Sequence, residues 1–283
     1  MAIQFVIDSA SDFDHQEAQA LGLCFLPLTI EWEGKVYRDQ LDISSREFYE
    51  KLVETDALPT TAQLSPNDYS EAFARLTANG DTVIVIALSS KLSGTCQSAM
   101  IAAADYPGKV FVVDSRNVTM GEQLLIRYAL RLRDSGLDAP ALVAELEQAR
   151  ERIRVIAAVD TLEYLKQGGR VSSVTAFAGT LLGIKPVVAV QDGEVEVIGK
   201  ARGSKKANNL LTELIEQHGG VDFSMPYVLG FTGMSDTTLQ KYIADSAHLW
   251  RDHTDTLPVT AIGSVIGTHV GPGAVGVAFF SKE

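Results

Sequence analysis

The densest set of groups able to do chemistry lies in one short run, Ser89-Ser90-Lys91-Leu92-Ser93-Gly94-Thr95. Hydroxyls both donate and accept hydrogen bonds, and glycine lets a ligand approach the backbone closely. The run follows the apolar, β-branched stretch Thr82–Leu88, the pattern of a strand buried on both faces of a parallel sheet. It precedes the alanine-rich Cys96–Asp105, which carries helical spacing. Strand, polar turn and helix in that order aim the unpaired N–H groups of a first helical turn beyond the carboxyl edge of the sheet. The arrangement is an anion-binding corner, and the length of the polar run exceeds what a helix cap requires.

Other candidates are weighed against this corner. Ser93 lacks the flanking glycines of a nucleophile elbow and has no histidine near it in sequence, although a distant His269 could serve as its base. That pairing defines an alternative, a serine-dependent acyl hydrolase or transferase. His269 sits among glycines in Gly267–Gly276, which gives it little packing of its own and favours a ligand-facing or solvent-exposed turn. Residues 271–276 match G-x-G-x-x-G, but a strand follows instead of a helix, so a dinucleotide site is rejected. Thr60, Thr61 and Gln63 are equally suited to touch a ligand or to brace the helix that begins after Ser65. Lys166, Arg170, Lys185, Lys200, Arg202, Lys205 and Lys206 form a basic group that reads as a solvated face or a docking patch. Cys24 and Cys96 have no metal-ligand or disulfide spacing, so no metal is expected.

Stepping outward, the elements that position these residues alternate between strand and helix, which predicts an α/β protein. Ile3–Ile7, Leu23–Trp32, Thr82–Leu88 and Lys109–Val113 read as strands of a first unit. Ser44–Glu47 is a capping box, and Ser65-Pro66 a second helix start. In the second unit Val155–Val159, Val187–Val190, Val195–Ile198, Tyr227–Phe231, Val259–Val265 and Val275–Phe280 read as strands, with an Asp192-Gly193 hairpin turn. Val171–Ile184 reads as a buried apolar helix. Small polar pairs end four strands; for Asp114-Ser115 and Asp160-Thr161 helix capping is the favoured role. The expected division is residues 1–153 and 154–283.

Composition narrows the function. With 283 residues and 46% hydrophobic content, the chain can build two cores. With 24 basic and 36 acidic residues the formal charge is −12, poorly suited to nucleic acid or anionic membranes. The start carries no basic n-region, and the long uncharged stretch Leu257–Ser281 is broken by prolines and glycines. The expectation is a cytoplasmic protein with no stable membrane insertion.

Five motifs then carry a resemblance: Asp8-Ser9-Ala10-Ser11-Asp12-Phe13, Thr61-Ala62-Gln63-Leu64-Ser65, Ser89–Thr95, Asp160–Arg170 and Gly267–Gly273. In order and spacing over nearly the whole chain they resemble the DegV family. The resemblance implies two α/β domains with a long-chain fatty acid in the cleft between them. It also implies the role of the fatty-acid-binding subunit of bacterial fatty acid kinase, which has no catalytic residues or cofactor of its own. Such a subunit presents the acyl carboxylate to a separate ATP-using kinase subunit, and the acyl phosphate feeds phospholipid synthesis. Thr61 and Ser93 would bond the carboxylate, with Gly94 N–H and His269 beside them, and Arg170 and Arg202 would dock the kinase. The family usually reads Thr-Ser-Gln-Pro-Ser where this chain has Ala62 and Leu64. A tail of ~14 methylenes at ~0.8 kcal/mol each gives ~11 kcal/mol of gross burial, so the tail supplies affinity and the polar corner sets its direction. Val171–Ile184 is the expected tunnel wall, or ordinary core.

Overall fold

The computed structural model describes residues 2–171 and 183–282. Residues 172–182, the body of the expected apolar helix and tunnel wall, lie outside the described residues.

The first domain is built on a parallel sheet of β1 (Ile3–Asp8), β2 (Cys24–Leu26), β6 (Thr82–Ala87) and β7 (Val110–Asp114), in the order β2-β1-β6-β7. Val85 pairs with Val6 on one side and Val112 on the other, so β6 is central and its side chains are almost wholly buried. All four strands therefore end at one edge. Helices α1 (His15–Ala20), α3 (Pro66–Thr77), α4 (Thr95–Ala103), α5 (Met120–Asp134) and α6 (Ala139–Ala149) pack against the sheet, whereas Phe48 of α2 (Ser45–Glu54) packs on Trp32 outside it. Ser44 and Ser65 close reciprocal capping boxes with Glu47 and Asp68.

The expected strand Leu23–Trp32 is divided. Pro27, which has no N–H for a ladder, follows β2. Leu28 N–H then donates to Ser9 Oγ, and β3 (Thr29–Trp32) begins a different sheet. That sheet is antiparallel, with β4 (Lys35–Arg38) and β5 (Thr60–Ala62) on either side of β3.

The second domain carries a six-stranded mixed sheet: β8 (Ile153–Ala158), β9 (Ile184–Gln191), β10 (Glu194–Arg202), β11 (Tyr227–Phe231), β12 (Val259–Ala261) and β13 (Val275–Phe280), in the order β10-β9-β8-β13-β11-β12. Helices α7 (Glu163–Gln167), α8 (Ser204–Gln217), α9 (Thr237–Asp245), α10 (Ala247–Trp250) and α11 (Ser264–Val270) complete it. Asp192 and Gly193, both at positive φ, make the β9–β10 turn. Ser89 Oγ donates to Gly193 O at 2.7 Å, so the hairpin tip rests on the first domain.

The expected closing strand Val259–Val265 stops at Ala261, and Ser264–Val270 is helical. The reason lies far away in sequence. Gly263 N–H donates to Asp12 Oδ1 at 2.7 Å and Ser264 N–H to Asp39 Oδ1 at 3.3 Å, so first-domain carboxylates hold the start of α11. Asp114 is likewise no helix cap. Its carboxylate accepts from Ser90 N–H and Oγ–H and from Arg116 N–H, tying together the ends of β6 and β7. Thr161 does accept from Glu163 N–H at the start of α7.

Candidate functional site

The turn after β6 folds on itself before entering α4. Leu92 and Ser93 N–H groups donate to Ser89 O, and Thr95 N–H donates to Ser93 Oγ at 3.2 Å. Ser93 Oγ also lies 3.0 Å from Thr95 Oγ1. Gly94 caps α4 through its backbone alone. The Gln63 amide lies against Gly94, where a Cβ would sit 2.1 Å from Gln63 Oε1 and would require that side chain to move aside.

Thr61, in the middle of β5, is placed by its pairing with Ile30 of β3. Across from it His269 occupies the last turn of α11. Thr61 Oγ1 and His269 Nε2 are 2.9 Å apart, a bond between two domains and across 208 residues of sequence. Burial, and then the charge of Arg170, push the imidazole pKa down to about 4, so His269 is neutral at physiological pH. Arg170 follows α7, and its guanidinium donates to Leu92 O and Gly168 O. These bonds fix it between the β6–α4 turn and the end of α7.

These residues line one end of a cavity of about 320 Å³ between the domains. Leu28, Leu88, Leu92, Val118, Val195 and Ile266 are among its apolar walls, while Thr61, Gln63, Ser93, Gly94, Arg170 and His269 supply the polar end. A second hollow of about 210 Å³ adjoins this cavity, and Thr61, Arg170 and His269 line both. An apolar pocket of this size with a few convergent polar groups suits an amphipathic small molecule whose head accepts hydrogen bonds. No cluster of side chains suited to a metal occurs among the described residues. No described helix is long and apolar enough to cross a membrane.

The model of the DegV family, described as an uncharacterised protein family, matches residues 2–282. The chain belongs to the DegV family. A DegV domain-containing protein of Deinococcus radiodurans is 36% identical over 282 residues, covering 98% of each chain. A DegV family protein of Thermus thermophilus described for its fatty acid binding shares 34% identity and superposes with a TM-score of 0.89, each chain covered completely. DegV of Bacillus subtilis, described as a fatty acid binding protein, shares 28% identity at a TM-score of 0.84, again over all of both chains.

The DegV cavity brings together Thr61, Ser93, Gly94 and His269, four residues from two domains. It also takes in Arg170, which the sequence reading assigns to a basic group and to kinase docking and not to the head-group site. Arg202 is exposed at the end of β10 and does not line the cavity. Sequence reasoning treats His269 as a turn residue, whereas it is presented by a short helix. It assigns no cavity role to Leu92, Val118 or Ile266; the first two follow strand ends at the ligand-binding edge of the sheet, a signal that was available. Ser93 and His269 share no hydrogen bond among the described residues. Each is engaged elsewhere, Ser93 with Thr95 and His269 with Thr61.

Proposed function

We propose that this chain binds a long-chain fatty acid in the interdomain cavity, tail inward, and presents the carboxylate to a separate ATP-using fatty acid kinase subunit. The observation that carries the reading is the apolar cavity closing on Thr61, Ser93, Gly94 and His269, hydrogen-bonding groups with no carboxylate among them. The fatty acid binding described for the relatives from Thermus thermophilus and Bacillus subtilis supports the ligand class. Thr61 and Ser93 hydroxyls and the Gly94 N–H hold the carboxylate, and His269 holds Thr61. Head-group hydrogen bonds of ~1.5–3 kcal/mol each add direction to the burial of the tail.

The second hollow supports presentation. Thr61, Arg170 and His269 line both hollows, so a head group bound beside them would be reached through the second. In the partner's reaction a carboxylate oxygen attacks the γ-phosphorus of ATP, the bond to ADP breaks, and an acyl phosphate forms for phospholipid synthesis. This chain supplies no nucleophile, base or cofactor in that step. Exposed Arg202, with Arg170 at the rim, would meet the kinase subunit, and the division at residues 153/154 would let the two domains close over the tail. A cytoplasmic location, where ATP is supplied, fits this role. The acyl hydrolase reading is disfavoured by a His269 already bonded to Thr61 and too weak a base to activate Ser93.

Mass spectrometry of organic extracts from the purified protein tests the ligand. The expected result is a stoichiometric long-chain fatty acid. An empty protein that also fails to bind added fatty acids sinks the reading. ATP-dependent acyl phosphate formation with and without this chain tests the kinase partnership, and labelling of Ser93 by a fluorophosphonate would revive the hydrolase.

A further inference from the structure

His269 has two ring nitrogens with opposite surroundings. Nε2 meets Thr61 Oγ1, whereas Nδ1 is sealed from solvent with no hydrogen-bond partner among the described residues. Gly168 lies directly against it. This residue has φ −69° and ψ −14°, torsions open to any amino acid. Space alone asks for glycine, because a Cβ there would stand 2.2 Å from Nδ1 and 3.0 Å from Cε1. The position is itself held, since Gly168 N–H donates to Tyr164 O and Gly168 O accepts from Arg170.

A neutral imidazole carries one proton, and the network around it decides which nitrogen holds it. A proton on Nδ1 would bury an N–H against the Gly168 Cα with nothing to accept it. A proton on Nε2 is donated to Thr61 Oγ1. Thr61 then has its own hydroxyl proton left to give and turns it toward the cavity. With the other tautomer Thr61 would donate to Nε2 and could only accept from a ligand. The position of one proton therefore decides whether the head-group site donates or accepts.

We propose that Gly168 is a positioning residue that fixes His269 as the Nε2–H tautomer, so that Thr61 faces the cavity as a donor and the site selects an ionised carboxylate over a neutral head of the same shape. The inference rests on the fatty acid reading and deepens it. The informative pair of ligands is a long-chain acid and its primary amide. They are nearly isosteric, but the amide carries N–H donors that clash with a donating Thr61.

Histidine-selective ¹⁵N NMR of the unliganded protein, with the His269 signal assigned from its loss in His269→Asn, reads the tautomer directly. Nε2–H is expected, and Nδ1–H overturns the proposal. In Gly168→Ala the methyl displaces the ring. A Thr61 hydroxyl no longer held by the His269 N–H is free to accept from an amide N–H as well as to donate, so the acid-to-amide affinity ratio is expected to fall roughly tenfold. A folded variant with an unchanged ratio overturns the proposal. If that variant does not fold, the wild-type tautomer still decides. A chain that binds neither probe overturns the fatty acid reading and the head-group selection with it, while the tautomer still tests what Gly168 does.

Discussion

The two ends of α11 meet two buried polar clusters with opposite characters. At its start Asp12 and Asp39 receive the backbone N–H groups of Gly263 and Ser264, and Thr119 donates its hydroxyl to Asp12 Oδ2. Asp8 is similarly occupied by the N–H groups of Ala10 and Leu88. At its end His269 meets Thr61 beside Ser93 and Gly94, where hydroxyls and a helix start face a cavity. The first cluster faces inward, and within it Asp39 Oδ2 and Ser264 Oγ lack hydrogen-bond partners among the described residues. The bonds that the first cluster makes tie the start of α11 to first-domain carboxylates, a role in the fold. The second has hydrogen-bonding capacity directed at the cavity, which a ligand there would use.

Removing Asp12, the hub of the first cluster, has the largest expected effect. Asp12→Ala orphans the Gly263 N–H and the Thr119 hydroxyl, two buried donors at ~1–3 kcal/mol each, so a loss of about 4 kcal/mol is expected in chemical denaturation. Because the start of α11 is released, fatty acid affinity should fall in the same variant. Retained stability would mean that the hub holds nothing. The converse experiment is Thr61→Ala with Ser93→Ala. Thr61 and Ser93 border the cavity, where water can replace the hydroxyls that His269 Nε2 and Thr95 N–H lose, so the stability loss should be smaller than for Asp12→Ala. Affinity for a long-chain acid should drop by about 2 kcal/mol, roughly thirtyfold. Titration calorimetry reads this, and unchanged affinity would remove the head-group assignment.

Acidity separates the two clusters by the sign of a slope. Burial pushes Asp12 up to about 8, Asp8 up to about 7 and Asp39 up to about 6, against the hydrogen bonds that pull them down. Such groups bind more protons in the folded chain than in the unfolded one. Their stabilisation is complete below the unfolded carboxylate range and is lost as pH rises through about 6 to 8. His269, depressed to about 4, behaves oppositely: its contribution is present above the ordinary histidine pKa and lost as pH falls toward 4. Thermal melts across pH 4 to 9 should therefore fall on the alkaline side, less steeply in Asp12→Asn, and His269→Asn should flatten the acid side alone. An alkaline limb identical in Asp12→Asn and wild type would show that Asp12 does not titrate with the fold.

Much of the site is legible in the sequence because its signals are local. The Thr82–Leu88 strand, the hydroxyl turn and the alanine-rich helix follow one another, and the capping boxes and the Asp-Gly turn are each set within a few residues. What is not legible depends on partners far along the chain. Helix α11 reads as strand and glycine turn because its cap comes from Asp12 and Asp39, more than 200 residues earlier. Arg170 reads as one charge in a basic group because the carbonyl that anchors it, Leu92 O, lies 78 residues away. Pro27 was a legible break in Leu23–Trp32, yet the second sheet it opens toward requires β5 to arrive from beyond α2.

The mildest test concerns Ala62 and Leu64, which alternate with Thr61 and Gln63 where the end of β5 lines the cavity. Ala62 is exposed on β5 and Leu64 is buried beside the start of α4, where its N–H reaches Thr95 Oγ1 at 3.4 Å. That bond is long and weak. Leu64→Pro deletes the N–H and so frees one acceptor position on Thr95, the hydroxyl that also meets Ser93. Because the Ser93–Thr95 contact and the Thr95 N–H bond to Ser93 remain, the head-group corner should keep its shape. Fatty acid affinity should therefore change by less than roughly threefold, about 0.6 kcal/mol, with any shift confined to acyl-chain preference. A competition series over chain length distinguishes the two effects. A large loss for every chain alike would instead place Leu64 N–H within the polar cluster at the end of α11, and the boundary between ligand-binding and fold-holding groups would have to be redrawn through Thr95.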